Sequence, residues 1–434
     1  MPELLDELID RANEAVRVAQ EAGAEGVLAT ATRSRSVEFV MRDGTLEKVQ
    51  ESTSRGLSLR VFANGRSSSH STTDLARLEG FAAEAVALTA ALQPDPDRQL
   101  ADPALCPIEV PDLGAVDPGV DSLDGPTRIV WATELDELLH AEERVVTATS
   151  TVTDGHDHVA SVSSNGFAAG YEKTWIWTGT ETTLSDGDKR PEAWFWCGGT
   201  HLDRLPTRAE VATGCLDWAR GRLGMSKGPT TRTTLVVHPR AGGRLLRALL
   251  GPFDARSLQQ KRSFWTPELK VSDRLTLTDD PLLQGGMGSR PFDGEGLTTR
   301  PLALFEAGQA RELYVDTTYG RKLGMNPTFS GRGNLVVAPG ERDLATILKD
   351  LGSCVLVTSF MGGNSDDTTG DFSFGIRGHL VEGGEVGQSV GEMNVTGNLV
   401  TMFQRLSEVG NDPWPWGTNL TPTLVFDDTQ FSGA

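Results

Sequence analysis

Leu57-Ser-Leu-Arg-Val-Phe62, followed by Asn64-Gly65, decides the fold of the first part of the chain. The six residues read as a strand, and Asn-Gly is the turn dipeptide that closes a two-residue hairpin. Upstream, Val37-Glu-Phe-Val-Met41 alternates loosely and runs into Asp43-Gly44, a second hairpin signal. Further outward, residues 3–22 place Leu4, Leu5, Leu8, Ile9, Ala12, Ala15, Val16 and Ala19 on one face at helical spacing, and Gly23 ends the helix. Downstream, Asp74 is an N-cap for an Ala-rich helix running to about Leu92. Helix, three or four antiparallel strands and helix make an α+β unit over residues 1–92.

Residues 93–126 carry Pro94, Pro96, Pro103, Pro107, Pro111, Pro118 and Pro126 and read as a surface connection. Residues 127–228 read as a sheet plus helix. A helix is expected near 127–142, then long strands punctuated by Asp154-Gly155, Asn165-Gly166 and Asp186-Gly187, then a helix over 206–224. Trp175, Trp177, Trp194, Phe195 and Trp196 suggest a large antiparallel sheet with an aromatic face. Lys227-Gly-Pro229 marks the boundary between an N-terminal α+β region, 1–228, and a glycine-rich, mostly β domain, 229–434. In the latter, Thr233–His238 reads as a strand and 239–251 as a short helix; further helices are expected at 341–350 and 397–409, within a closed or strongly curved sheet. The expected class is α+β: an N-terminal α/β domain whose antiparallel sheet has flanking helices, followed by the β-rich domain.

The chain has 434 residues, 40 Lys and Arg against 60 Asp and Glu, and a formal net charge of −20. Such a surface repels phosphate backbones, which argues against nucleic acid and leaves solubility, or a basic partner or substrate, as its meaning. No apolar run approaches the roughly 18 to 20 residues that span a bilayer. The acidic, amphipathic start lacks a signal-peptide pattern. The expectation is a cytoplasmic protein without membrane contact. Cys106, Cys197, Cys215 and Cys354 form no metal knuckle and no disulfide framework, and read as buried thiols.

A zinc peptidase needs two imidazoles one helical turn apart and a carboxylate to activate water. The seven histidines are His70, His140, His156, His158, His201, His238 and His379, and no pair is spaced i, i+4 or i, i+5. Asp154-Gly-His156-Asp-His158 puts two imidazoles on one side of an extended chain, a geometry that could hold a metal; a polar hairpin turn is the plainer explanation, and no third ligand is identifiable. Cys354, in the apolar strand Cys354-Val-Leu-Val-Thr358, reads as buried, although a cysteine hydrolase would need such a thiol beside a base. The glycine-rich tract 361–375 lacks the lysine of a phosphate loop and fits either a bend in the sheet or an edge that accepts an extended peptide.

Several motifs together carry a resemblance. Arg42-Asp-Gly44, Arg55-Gly-Leu-Ser-Leu-Arg-Val-Phe62, Gly65-Arg-Ser67 and Thr73-Asp-Leu75 are similar to the N-terminal domain of the TldD/PmbA family. Ser163-Ser-Asn-Gly166 looks like its central turn. Asp279-Asp-Pro281, Arg290-Pro-Phe-Asp-Gly-Glu-Gly296, Gly370-Asp-Phe-Ser-Phe-Gly375 and Thr396-Gly-Asn-Leu399 resemble its C-terminal domain. The resemblance implies proteolysis of extended peptides by a heterodimer in which the TldD-type subunit holds zinc on His-Glu-x-x-x-His and the PmbA (TldE) subunit lacks that motif.

Here the best counterpart of the zinc helix is Leu245-Leu-Arg-Ala-Leu-Leu-Gly-Pro252, with Arg247, Ala248 and Pro252 where the first His, the Glu and the second His would stand. No side chain of that set ligates zinc or accepts a proton. The expectation is therefore a chain that binds no cofactor itself, with no catalytic residues of its own. Zinc would sit in a TldD-type partner, and Gly370, Asp371, Phe372, Ser373, Phe374 and Gly375 would line the peptide slot or the subunit contact. The alternatives are a stand-alone hydrolase with a rearranged site, at His156 and His158 or Cys354, and a homodimeric peptide-binding scaffold. Asp293, Glu295 and Gly296 match a motif of underived role, with a bracing turn as the plain explanation.

Overall fold

Both hairpin signals form the turns expected of them. Asp43 and Gly44 have φ of +46° and +75°, and Asn64 and Gly65 have +52° and +68°, the doubly positive pair that a tight hairpin requires. The structure, a computed structural model, describes residues 2–433. After α1 (Pro2–Glu21) these turns join β1 (Gly26–Arg42), β2 (Thr45–Ala63) and β3 (Arg66–Thr72). Asp74 caps a short 3-10 turn, Leu75–Arg77, and α2 (Leu78–Ala90) follows it.

The proline-rich stretch itself holds α3 (Pro118–Asp121) and the start of α4 (Gly125–His140), and β4 (Val145–Ser163), β5 (Ala168–Leu184), β6 (Glu192–Gly199) and α5 (Arg208–Arg220) follow. The two groups of strands are one sheet. Its order is β3-β2-β1-β4-β5-β6, because β1 pairs antiparallel with β4 from Leu28 opposite Ser163 to Arg42 opposite Thr149. On one face, α1 and α2 cover Val27, Ala29, Ala31, Leu57, Leu59 and Ala160. Towards the other end, α4 and α5 cover Ala148, Leu184, Ala193 and Cys197.

The structure corrects two expectations here. Asp154-Gly155 is no turn, since β4 passes straight through it. Gly155 leaves room for the indole of Trp175, which lies where its Cβ would be. Asp154 is buried and accepts two hydrogen bonds from Arg128, at 2.6 and 2.8 Å. Phe195 does not share the tryptophan face: strand alternation turns it into the helix-side core, while Trp194 and Trp196 point the other way with Trp177.

In the second half, β7 (Ser226–Lys227), β8 (Thr231–Val237) and α6 (Pro239–Leu249) lead into α7 (Ala255–Gln259), β9 (Leu277–Asp279), β10 (Leu302–Glu306), β11 (Gln309–Ala310), α8 (Thr317–Leu323) and β12 (Leu335–Val337). Then follow α9 (Leu344–Leu351), β13 (Cys354–Ser365), β14 (Asp371–Glu382), β15 (Glu385–Asn398), α10 (Leu399–Gln404), β16 (Leu406–Val409), β17 (Asn419–Leu420) and β18 (Leu424–Ser432). The helix expected over 397–409 is shorter, because Leu406–Val409 leaves it to pair with β18. The sheet closes: β8, β13, β14 and β15 run side by side, and β18 pairs with both β15 and β8. Phe374, Phe403, Phe426 and Phe431 fill the space between this ring and α6.

Candidate functional site

Helix α6 sorts its residues by period. Ala241, Leu245, Leu246, Ala248 and Leu249 are buried in the barrel core. Arg240, Gly243, Arg244 and Arg247, spaced i, i+3, i+4 and i+7, face a cleft of about 470 Å³. The opposite wall is the tryptophan face of the N-terminal sheet, Trp177, Trp194 and Trp196. Trp414 and Trp416 form one end, and Thr358, Ser359 and Phe360 of β13 form the floor.

The cleft is cationic in a strongly acidic chain. Arg222, Arg240, Arg244 and Arg247 line it, and among the described residues none of the four forms an ion pair with a carboxylate. Arg240 donates to the Trp194 carbonyl at 2.6 Å, and its guanidinium lies 3.8 Å from the Trp194 ring centre. Burial, and then the charge of Arg222, push Arg240 down to about 10. Arg244 stacks on Phe374 at 4.6 Å and donates to the Gly363 carbonyl at 3.2 Å. His238 caps the helix: its Nδ1 accepts from the Arg240 backbone N–H at 3.2 Å. Burial, reinforced by Arg240, pushes His238 down to about 4.

One edge of the floor is open. Strand β8 pairs with β13 only from Val355 to Val357, then turns into α6. From Thr358 to Ser365, β13 has β14 on one side and, among the described residues, no strand on the other. Those backbone groups are available to an added strand.

The expected site residues separate. Arg247 lines the cleft, whereas Ala248 is buried in the core and Pro252 lies past the end of the helix. In the segment Gly370–Gly375, Phe372 and Phe374 are core residues. Gly370 turns the hairpin at φ +83°. Asp371 and Ser373 open onto a different, outer hollow with Arg262 and Asn364. Gly375 packs its backbone against Met361, leaving no room for a side chain. It is the preceding strand, Thr358–Phe360, that reaches the cleft. Cys354 is buried among Val236, Ile347 and Leu356, and burial pushes its thiol up to about 11, the reverse of an activated nucleophile. The arginine stripe was present in the sequence as the i, i+4 and i+7 spacing opposite Leu245, Leu246 and Leu249; the tryptophans that face it belong to distant segments and gave no such signal.

Asp293 and Glu295 form a bracing turn. Asp293 accepts from the backbone N–H groups of Glu295, Leu297 and Ser330 at 2.6 to 2.9 Å. Glu295 accepts from Arg60 of β2 at 2.6 Å and from the Thr317 N–H at 2.7 Å. Gly296, at φ +86°, sits under the ring of Phe167 from the N-terminal sheet.

A crystal structure from Bacteroides thetaiotaomicron, described as a candidate modulator of DNA gyrase, is 34% identical, covers 99% of both chains and superposes with a TM-score of 0.95. Residues 230–433 match the family described as PmbA/TldA metallopeptidase C-terminal domain, and residues 30–89 match its domain 1. The chain belongs to the TldD/PmbA metallopeptidase family. Among relatives in this family, Metalloprotease PmbA of Escherichia coli O157:H7 is 26% identical over 92% of this chain and 91% of that protein. TldE from Thermococcus kodakarensis shares the fold, with a TM-score of 0.86 over 98% of this chain and 100% of that one at 17% identity. A metallopeptidase family implies zinc, and zinc takes imidazole, thiolate or carboxylate donors. The cleft face of α6 offers guanidinium groups and a glycine, so these residues do not fit the metal.

Proposed function

We propose that this chain is the non-catalytic subunit of a cytoplasmic metallopeptidase complex, holding an extended peptide for a TldD-type partner that carries the zinc. The observation that carries the reading is the cleft face of α6, where Arg240, Arg244 and Arg247 stand opposite a tryptophan wall and no metal ligand is offered. The open edge of β13 supports peptide binding by strand addition, with backbone hydrogen bonds supplying affinity regardless of sequence. The four arginines without carboxylate partners suit a peptide that carries carboxylates, and the indoles suit its apolar side chains. A chain of charge −20 thus offers an acidic peptide a row of cations along this cleft. No helix of the described residues is long and apolar enough to cross a membrane.

The test is peptide hydrolysis by this chain alone, by a TldD-type partner alone and by the two mixed. The expected result is activity in the mixture that the lone chain lacks, abolished when the partner's zinc ligands are replaced. Turnover by the lone chain would overturn the reading, as would a mixture no more active than the partner by itself.

A further inference from the structure

On the helix side of the N-terminal sheet, between the apolar clusters that hold Ala148 and Ala160 of β4, three potential ligands converge. His156 and His158 are both buried, and their rings stack with centres 4.0 Å apart. Glu172 on β5 lies directly across the strand pair from His158. Its Oε2 is 3.1 Å from His156 Nε2 and 3.0 Å from His158 Nε2. None of the three belongs to the α6 cleft.

Neither contact is aligned as a hydrogen bond: Glu172 Oε2 and His156 Nε2 are buried and have no hydrogen-bond partner among the described residues. Buried polar atoms left this way cost free energy unless something satisfies them. At the far side of the ring, His156 Nδ1 is 2.8 Å from Asp121 Oδ2 at the end of α3. A carboxylate there accepts a hydrogen bond from Nδ1–H, which favours the tautomer whose lone pair is on Nε2. That lone pair then faces a carboxylate oxygen, an arrangement that calls for a cation between them. Ligands about 2.0 to 2.1 Å from a tetrahedral zinc lie roughly 3.3 Å apart, close to the spacing found here. Asp121 and Glu172 are the carboxylates that face the rings; of the two arginines opposite on β1, Arg33 and Arg35, the second is directed to Glu51 and Asp154.

We infer that His156, His158 and Glu172 form a binding site for a divalent cation of the zinc type, with Asp121 orienting His156 from outside. Two imidazoles and one carboxylate leave a fourth position for water. The site ties β4 and β5 to α3 and is independent of the cleft. Part of the Glu172 side chain, at 21% exposure, supplies the route in.

The test uses the full chain stripped with a chelator, then titrated with Zn2+ by calorimetry and with Co2+ by visible absorption. One equivalent should bind, with the intense d–d bands of four- or five-coordinate Co2+. Zn2+ should raise the Tm, and chelator should reverse the rise. Glu172→Gln and His158→Ala should each weaken binding at least tenfold, and Asp121→Asn by about tenfold. The Tm of the stripped Asp121→Asn protein, changed at a half-exposed position, checks that folding is intact. The inference is overturned if the wild-type chain binds no stoichiometric metal and its Tm ignores Zn2+, or if binding survives both Glu172→Gln and His158→Ala unchanged. Hydrolysis by the peptidase complex enters none of these readouts.

Discussion

Arg60 Nη1 donates to Glu295 Oε1 over 2.6 Å, and that ion pair joins the N-terminal sheet to the bracing turn of the C-terminal domain. Glu295 is nearly buried while Arg60 is about a third exposed. The carboxylate also takes the Thr317 N–H that opens α8. Glu295→Gln removes the charge and weakens both bonds. Charge-assisted hydrogen bonds contribute about 1.5 to 3 kcal/mol, and exposure of Arg60 favours the lower end. The expected loss is about 2 kcal/mol, read as a lower urea midpoint with an unchanged m-value. A midpoint equal to wild type would show that the pair is dispensable.

His238 makes stability depend on acid. The fold accepts its neutral form, which lies with its pKa pushed down to about 4 from an ordinary 6.5. Above 6.5 both folded and unfolded chains carry the neutral ring, and stability is full. Between 6.5 and 4 the unfolded chain takes up a proton that the folded chain refuses, so stability falls with pH, by up to about 3 kcal/mol. His238→Asn keeps an oxygen for the helix cap and cannot titrate. Chemical denaturation at pH 7 and pH 4.5 should show a smaller drop for this variant than for wild type.

The four thiols should be silent in the native protein. Burial pushes Cys106, Cys215 and Cys354 up to about 11 and Cys197 further still. At pH 8 almost no thiolate exists, and reagent has no access. Ellman's reagent should report no fast-reacting thiol in the folded chain and four in denaturant. A native thiol reacting within seconds would contradict the packing.

The cleft should read carboxylates. Arg244→Glu with Arg247→Glu reverses two of its charges without touching the buried face of α6. Affinity for a peptide with several Glu should fall at least tenfold, while a neutral peptide of the same length should lose far less. Raising the salt should weaken the wild-type acidic complex. Equal losses for both peptides would mean that the arginines shape the cleft without selecting charge.

Gly198 is required by Trp177. The indole lies over the glycine on the neighbouring strand, where any Cβ would overlap it. Gly198→Ala should displace the tryptophan wall, costing about 1 to 3 kcal/mol from overpacking and shifting tryptophan fluorescence. An unshifted spectrum with an unchanged Tm would show that the wall yields freely.

Local rules made much of this chain legible. Asp43-Gly44 and Asn64-Gly65 announced their hairpins because only a few residues tolerate positive φ twice in succession. The apolar period of residues 3–22 marked α1, and the absence of paired histidines at helical spacing followed from counting. Asp154-Gly155 misled because turn chemistry looks the same whether a glycine reverses the chain or makes room for Trp175 across a strand. Phe195 misled because a side chain's face is set by strand register.

What the sequence determined alone was local: most turn positions, helix faces, and the arginine stripe along one face of α6. Tertiary structure alone decided the rest. It merged two groups of strands into one sheet, closed the barrel through β15 and β18, set Trp194 and Trp218 against Arg240, and brought Glu172 to His156 and His158. Each is a pairing of segments far apart in the chain, and residue spacing carries no record of which distant strand will lie alongside.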